Sequence, residues 1–158
     1  METIIRACQE QDLEAVIDIL LLAEPSRRAL EWSLSHMSDT VYRLDVDGIV
    51  RGAATVRWRD PCEIIELAVA PDSQGKGYGR QLVHWIVAEA KGRGLVRILV
   101  GTSNASIGNI RFYQRCGFRM DHVRRDYFWY YREPIFENGI QARDLLMFSF
   151  DLVSPPPT

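Results

Sequence analysis

The chain has 158 residues, of which 47% are hydrophobic and 25% are charged, and its formal net charge is −2. These values predict a single globular domain with a substantial core. Acidic and basic residues are interspersed, so the sequence lacks the basic face of a nucleic-acid-binding protein, and no run of about 18 apolar residues predicts a membrane span.

Hydrophobic periodicity predicts the elements of the first half of the chain. Asp12 is placed to cap the first helix, and Pro25 suits the beginning of the second. The pair Asp47-Gly48 is typical of a tight hairpin turn. The predicted elements are a strand at Thr3–Ala7, a helix from Leu13, a helix from Pro25 to about Met37, a hairpin of Val41–Val46 and Ile49–Trp58, and a strand at Glu63–Val69.

Glycines divide the elements of the second half, because Gly92 and Gly94 end one helix and Gly117 ends the next. The predicted elements are a helix from Gly77–Gly79 to Gly92, a strand at Leu95–Gly101, a helix at Ser106–Arg115, and strands over about Arg119–Tyr131 and Arg143–Leu152, joined by a loop at Glu133–Gln141. We predict seven strands and four helices in one domain, residues 1–153, followed by a disordered Pro-rich tail at 154–158.

Cysteine and histidine are sparse, with three of each. Cys8, Cys62 and Cys116 form no C-x-x-C pair, and the histidines are widely spaced, so we expect neither a disulfide framework nor a metal site. The first residues lack the basic and apolar pattern of a signal peptide. We therefore expect a cytoplasmic protein without a membrane or nucleic-acid partner.

The most informative segment is ELAVAPDSQGKGYGRQLVHW, in which a strand, a glycine-rich turn and an amphipathic helix follow one another. Glycines allow the backbone to approach a ligand closely, and the free N–H groups at the beginning of a helix favour an anion. The combination predicts a phosphate-binding loop. A glycine-rich turn with solubilising charges is the alternative interpretation.

Two other phosphate-binding motifs do not fit this loop. A dinucleotide fingerprint that begins at Gly75 would require glycine at Arg80, and no G-x-x-x-x-G-K-S/T string occurs in the chain.

The loop resembles motif A of the GNAT acetyltransferase superfamily, Q/R-x-x-G-x-G/A, in the form Gln74 to Gly79. The segment SIGNIRFYQRCGFR resembles motif B, in which a tyrosine on a short helix precedes Gly-Phe, here Tyr113 and Gly117-Phe118. Two motifs in the family's order are much more specific than one. The resemblance implies the GNAT fold, an α/β (α+β) fold with a central mixed, mostly antiparallel seven-stranded sheet flanked by about four helices.

The resemblance implies acetyl-CoA as the cosubstrate. In the family, the backbone at the end of the fourth strand pairs with the pantetheine arm, and the motif A amides hold the pyrophosphate. The implied cofactor-binding residues are Leu67, Ala68 and Val69 on the strand, and Gln74, Gly75, Lys76, Gly77, Tyr78 and Gly79 in the loop, with Arg80 nearby. Leu67 and Val69 are also suited to plain core packing.

Tyr113 resembles the family's general acid, which protonates the departing CoA thiolate. A phenol with a pKa near 10 stays protonated at neutral pH and is a suitable donor, although a core tyrosine is the alternative. Many members have Asn at the position of Ser106 and Ala at the position of Asn109. Ser106 is placed to cap the helix, and Asn104 or Asn109 is placed to reach the pantetheine amide. Asn104, Ser106 and Asn109 are all candidate cofactor-binding residues.

The general base is open between two glutamates. Some ribosomal-protein acetyltransferases use a glutamate at the position of Gly101, so that arrangement is absent here. Histone acetyltransferases use a glutamate in the context E-I-V, which Glu63 matches. Glu66 faces the other side of a regular strand unless a bulge, common here in the family, re-aims it. We favour Glu66, because it is closer to the cofactor-pairing end.

We therefore predict an N-acetyltransferase that transfers acetyl from acetyl-CoA to a primary amine of a small molecule or peptide, by direct attack in a ternary complex. The alternative is a non-catalytic acyl-CoA-binding sensor of the same fold. The aromatic run Tyr127–Tyr131 is predicted on both faces of a strand, with one row in the core and the other at an acceptor pocket or a homodimer surface. The loop Glu133–Gln141 is a candidate specificity element.

Overall fold

The computed structural model describes residues 1–153, and the chain divides into two compact units, Met1–Leu95 and the part that begins at Val96. The first unit contains β1 (Thr3–Ala7), α1 (Leu13–Leu20), α2 (Arg27–His36), β2 (Thr40–Val46), β3 (Ile49–Arg57), β4 (Cys62–Val69) and α3 (Tyr78–Gly92). The second contains β5 (Arg97–Ser103), α4 (Ile107–Arg115), β6 (Arg119–Arg124), β7 (Phe136–Glu137), β8 (Ile140–Gln141) and β9 (Leu145–Asp151).

Most strand pairs are antiparallel. In the first unit β1 pairs with β2, β2 with β3 and β3 with β4, and in the second unit β9 pairs with both β5 and β6. The topological order of the larger sheet is β1-β2-β3-β4-β5-β9-β6, and β7 and β8 form a separate hairpin. Over residues 1–153, seven sheet strands and four α-helices confirm the predicted fold class.

The core of the first unit forms where the apolar face of α1 covers one face of β3 and β4. Ala53 and Ala68 are paired across these strands, and their small side chains let the helix approach closely. Each fully buried valine, leucine or isoleucine stabilises such a core by about 1.5–3 kcal/mol. The buried cluster consists of Val16, Ile17, Ile19, Leu20, Leu30, Ala53 and Ala68. On the opposite face α3 packs against β3, since a Cβ at Gly52 would lie 3.1 Å from Leu82 Cδ1.

The caps of the first two helices differ from the prediction. α1 begins at Leu13 as expected, but Asp12 does not cap it, because its carboxylate accepts hydrogen bonds from the guanidinium groups of Arg6 and Arg43. α2 begins two residues after Pro25, and Ser26 caps it by accepting the Ala29 N–H at 3.2 Å.

The strand predicted over Arg119–Tyr131 is wrong beyond Arg124, where β6 ends. Asp126 has a φ of +57°, and its N–H donates to the Asp144 carboxylate at 3.0 Å, so the chain turns instead of extending. The aromatic run therefore does not alternate across a strand, and Trp129 is 83% exposed. The high β-propensity of aromatic residues favoured the longer strand.

The segment predicted as a loop at Glu133–Gln141 contains the hairpin β7–β8. Its turn residues Asn138 and Gly139 have φ values of +53° and +73°, the left-handed pair that a tight two-residue hairpin turn requires.

Two predictions about the limits of the domain are not tested by the fold. The Pro-rich tail at 154–158 lies outside the described residues, and a single domain over 1–153 stays a prediction. Within the described part of the chain, no helix has the length and apolar character needed to cross a membrane. Between residues 1 and 153, no group of three or more His, Cys, Asp and Glu side chains is arranged to hold a metal ion.

Candidate functional site

The glycine loop, Gln74–Gly79, leads from the turn after β4 into α3. Gly75 has a φ of +76° and Gly77 a φ of +88°, a left-handed conformation that costs other residues roughly 1–2 kcal/mol. A Cβ at either glycine would meet no other atom within 4 Å. Glycine is therefore needed here for the backbone angles, and the backbone is open to a ligand.

The first turn of α3 presents unpaired amides beside this loop. The first helical hydrogen bond runs from Gln81 N to Gly77 O at 3.0 Å, so the N–H groups of Tyr78, Gly79 and Arg80 have no partner within the helix. The dipole of a 15-residue helix adds partial positive charge at this end. The arrangement is suited to binding an anion.

Side chains around the loop divide between anchoring and exposure. Tyr78 is buried and fixes the first turn of α3, whereas Lys76 and Arg80 are exposed and add positive charge. The side chain of Gln74 folds back, and its Nε2 donates to the carbonyl of Val69 at 3.0 Å. Gln74 thus ties the loop to the end of β4.

The predicted pantetheine-binding end of β4 has side chains that point to different faces. Ala68 is buried in the cluster under α1, while Leu67 and Val69 are half-buried. Their packing leaves the role of their peptide groups open, so the predicted backbone contact of Leu67–Val69 stays a prediction.

A β-bulge puts Glu63 and Glu66 on the same face of β4. Thr55 of β3 pairs with Glu66, Val56 pairs with Ile64, and Ile65 is the extra residue. Arg57, two residues after Thr55 and therefore on the same face, pairs with Glu63. The bulge considered from the sequence is present, and it re-aims one carboxylate relative to a regular strand.

Glu66 is buried and held by two hydroxyl groups. Its Oε1 accepts from Ser33 Oγ at 2.7 Å, and its Oε2 accepts from Thr55 Oγ1. Burial raises the pKa of the Glu66 carboxyl, the two hydrogen bonds partly offset that effect, and the carboxylates Glu24 and Glu63 raise the pKa further. The Glu66 carboxylate therefore has a higher proton affinity than a solvated one. Glu63 is also buried.

In the second unit, Tyr113 lies on α4 within an aromatic cluster. Its ring centroid is 5.1 Å from that of Phe112, 5.8 Å from that of Phe118 and 6.3 Å from that of Phe148. The side chain is only 5% exposed, and burial, with a smaller effect of Cys116, raises the pKa of its phenol. The Tyr113 phenol consequently stays protonated throughout the physiological range.

The head of α4 is tied to the hairpin β7–β8. Ser106 occupies the cap position, but its hydroxyl does not cap the helix and instead donates to Glu137 at 2.8 Å, which corrects the predicted cap. Asn138 Nδ2 donates to the carbonyl of Ala105 at 2.9 Å. The hairpin is therefore fixed to the residues that precede α4.

Asn104 makes the third attachment. Its Nδ2 donates to Gln141 O at 3.1 Å, and its Oδ1 accepts from the N–H groups of Arg143 and Asp144. Asn109, by contrast, is exposed on α4. Of the three polar residues predicted to contact the cofactor, two thus have structural partners in the hairpin region.

Gly101 explains why β5 carries no carboxylate. A Cβ at this position would lie 2.7 Å from both Leu145 Cδ2 and Met147 Sδ on the neighbouring β9. A glutamate therefore does not fit unless the side chains of Leu145 and Met147 move.

A cleft of about 200 Å³ lies between the aromatic run and the hairpin. The rings of Phe128 and Tyr131 are 6.1 Å apart, and those of Tyr130 and Tyr131 are 4.5 Å apart. The lining residues are Phe128, Trp129, Tyr131, Arg132, Glu133, Pro134, Ile135, Gln141 and Ala142.

Sequence analysis missed Ser33, Thr55 and the hairpin. The pair Asn138-Gly139 is a strong hairpin signal and would have been sufficient to predict the turn. The hydroxyl partners of Glu66 had no such signal, because Ser33 is 33 residues away and Thr55 is 11 residues away along the chain.

Comparisons with known proteins agree with this geometry. Residues 3–118 match the model of the Acetyltransferase (GNAT) family. An uncharacterized N-acetyltransferase, YvbK, of Bacillus subtilis is 36% identical over 146 residues, which cover 90% of this chain and 93% of that protein.

Two solved structures are also similar. An acetyltransferase of Bacillus subtilis in complex with CoA has a TM-score of 0.86 and 35% identity, covering 96% of this chain and 100% of the other. A GNAT family acetyltransferase of Elizabethkingia anophelis with acetyl-CoA bound has a TM-score of 0.85 and 30% identity, covering 94% of this chain and 97% of the other. The chain therefore belongs to the GNAT family of acetyltransferases and is an acyltransferase.

Proposed function

We propose that this chain is an N-acetyltransferase that transfers acetyl from acetyl-CoA to a primary amine, by direct attack of the amine in a ternary complex. The observation that carries the proposal is the glycine loop, where two left-handed glycines and three helix-terminal amides leave an open anion site. Two similar proteins have been solved with CoA or acetyl-CoA, which supports a CoA diphosphate as the anion.

Acetyl-CoA would supply the acetyl group, and coenzyme A would leave as a thiol. Residues of this chain are suited to binding acetyl-CoA. The amides of the glycine loop and the first turn of α3 hold the diphosphate, and Lys76 and Arg80 add charge. The peptide groups of Leu67–Val69 bind the pantetheine arm. On α4 we assign the pantetheine contact to Asn109, because Asn104 and Ser106 are already bound to the hairpin region.

The acceptor amine must lose a proton. An alkylamine with a pKa near 10.4 requires about 4 kcal/mol for deprotonation at pH 7. Glu66 takes this proton, directly or through water, because a buried carboxylate with a raised pKa is a stronger base than a solvated one. Glu63, on the same face of β4, is the alternative base.

Tyr113 protonates the sulfur as the carbon–sulfur bond breaks, and the second proton that the nitrogen loses when the amide forms returns to the phenolate. Its burial keeps the phenol protonated, so the proton is available at every pH at which the amine reacts. The aromatic cluster around it fixes the ring and limits the directions in which the hydroxyl points.

The acceptor is a small molecule or a peptide that carries a primary amine. The cleft between the aromatic run and the hairpin provides rings for apolar or cation–π contacts with such a molecule. A homodimer and a cytoplasmic location stay predictions from the sequence.

The test is to measure free thiol when the protein is mixed with acetyl-CoA and a panel of amines: lysine, spermidine, kanamycin and an alanine-terminated tripeptide. Mass spectrometry with isotopically labelled acetyl-CoA then identifies the acetylated product. Thiol release that depends on the amine supports the proposal. Acetyl-CoA binding without acetylation of any amine, in the panel or in a cell lysate, would favour the sensor instead.

A further inference from the structure

Two hydroxyl groups from different elements hold the carboxylate of Glu66. Ser33 lies on α2 and Thr55 on β3, and each donates to a different carboxylate oxygen. Thr55 Oγ1 also accepts the N–H of Glu66 at 2.9 Å, so its own proton is left to point at the carboxylate. Ser33 and Glu66 are each 6% exposed and Thr55 is fully buried.

We propose that Ser33 and Thr55 are positioning residues for the general base: they hold Glu66 in one rotamer, with its carboxylate in the ionised form that accepts the amine proton. This role rests on the proposed function, in which Glu66 is that base. Each carboxylate oxygen accepts one hydroxyl and keeps a further lone pair, which is the site for the amine proton or for a bridging water.

The surroundings of Glu66 make these two donors necessary. Burial disfavours the ionised carboxylate, and the charged groups acting on it, Glu24 at the beginning of the segment before α2 and Glu63 on β4, are both acidic. The hydroxyls are the groups that oppose this effect. Because hydrogen bonds to the charged form lower a carboxyl pKa, loss of one hydroxyl shifts the titration of Glu66 to higher pH.

A structural brace is the competing interpretation, since the same two bonds join α2 to the sheet. A brace affects stability but not the pH dependence of the reaction. The two interpretations are therefore separated by the pH at which activity is lost.

The test compares the pH profile of kcat/KM for wild type and Ser33→Ala, with acetyl-CoA and the panel amine that reacts fastest. In Ser33→Ala we expect the acidic limb of the kcat/KM profile, where activity is lost as the pH falls, to shift to higher pH by about one unit. At pH values on this limb, kcat/KM should be about tenfold lower than in wild type. The conservative variant Thr55→Ser keeps its hydroxyl and should retain the wild-type limb. NMR titration of ¹³C-labelled glutamate in Ser33→Ala should show the pKa of the Glu66 carboxyl rising by the same amount as the acidic limb.

Ser38→Ala is the matched control. Ser38 lies just after α2 and its Oγ donates to the Leu34 carbonyl on that helix at 3.3 Å, so the variant loses a hydroxyl bound to α2 without touching Glu66. Its limb should coincide with that of wild type. If Ser33→Ala does not fold, Ser33→Cys, whose thiol is a weak donor, should give a smaller shift in the same direction.

The outcomes separate this inference from the proposed function. If Ser33→Ala melts at a lower temperature but keeps the wild-type acidic limb of the kcat/KM profile, Ser33 is only a structural brace. This outcome refutes the positioning role but not the proposed function. An active Glu66→Gln protein with an unchanged limb also refutes the positioning role. A wild-type protein that binds acetyl-CoA but acetylates no amine refutes the proposed function, and the positioning role with it.

Discussion

The glycine loop gives the sharpest prediction, which concerns Gly77→Glu and its isosteric partner Gly77→Gln. Both variants must adopt a φ of +88°, which costs a non-glycine residue roughly 1–2 kcal/mol. Neither meets a steric barrier, since a Cβ at Gly77 has no atom within 4 Å. Both should therefore fold, with the same decrease of a few degrees in melting temperature.

The difference between the two variants is one negative charge in the proposed phosphate site. At about 5 Å from a phosphate and with an effective dielectric constant of about 20, the repulsion amounts to about 3 kcal/mol. Gly77→Glu should therefore bind acetyl-CoA roughly 100- to 300-fold more weakly than Gly77→Gln. Titration calorimetry at low and at high salt measures this, and the gap should narrow as salt screens the charges.

The assignment of the anion site would be refuted if the folded Gly77→Glu protein bound acetyl-CoA as tightly as Gly77→Gln. Comparison with the glutamine variant is essential, because loss of binding in the glutamate variant alone could arise from the altered backbone. Equal weakening in both would point to backbone geometry instead of charge.

Three further predictions concern chemistry and stability. Tyr113→Phe should bind acetyl-CoA normally and turn over about ten- to a thousandfold more slowly. Tyr42→Phe, which removes another buried phenol hydroxyl, should keep the wild-type turnover. Steady-state kinetics measure both, and a turnover within twofold of wild type in Tyr113→Phe would exclude the acid role. Gly101→Ala should lower the free energy of unfolding by about 1–3 kcal/mol in chemical denaturation, since its Cβ meets Leu145 and Met147. Gly108→Ala, which adds a Cβ in open space on α4, should not lower it, because alanine favours a helix over glycine. Asp12→Asn should have a lower melting temperature than wild type at pH 7, and this difference should disappear as the pH falls below about 4. The reason is that Arg6, the backbone of Gln9 and Arg43 lower the pKa of the native Asp12 carboxyl, so its stabilisation is lost on protonation. A difference in melting temperature that does not depend on pH would contradict this.

Local signals in the sequence were enough to predict most of the fold. Helical spacing from Leu13 predicted α1, and Asp47-Gly48 predicted the β2–β3 hairpin, because in both cases the information lies within a few residues. The same holds for the glycine loop, where backbone angles demand glycine and the helix follows at once. These elements are confirmed.

Predictions failed where a long-range contact decides the structure. Aromatic residues at 127–131 favour a strand, but the bond from Asp126 N to Asp144, 18 residues away, supports a turn there. Asp12 is a good helix cap by type, yet the guanidinium groups of Arg6 and Arg43 compete for its carboxylate. Asp144 and Arg43 lie too far along the chain from these residues to belong to a local pattern.

The bulge at Ile65 shows most clearly how one local irregularity affects the candidate chemistry. In a regular strand, residues three apart such as Glu63 and Glu66 face opposite sides, so only one carboxylate could serve the face under α1 and α2. The extra residue puts both on that face, and it brings Glu66 within reach of Ser33 on α2. Burial raises the pKa of the Glu66 carboxyl, while the hydroxyl groups of Thr55 on β3 and Ser33 on α2 limit that increase. The proton affinity of Glu66 thus depends on hydroxyl groups of β3 and α2, two elements that contribute no residue to either family motif.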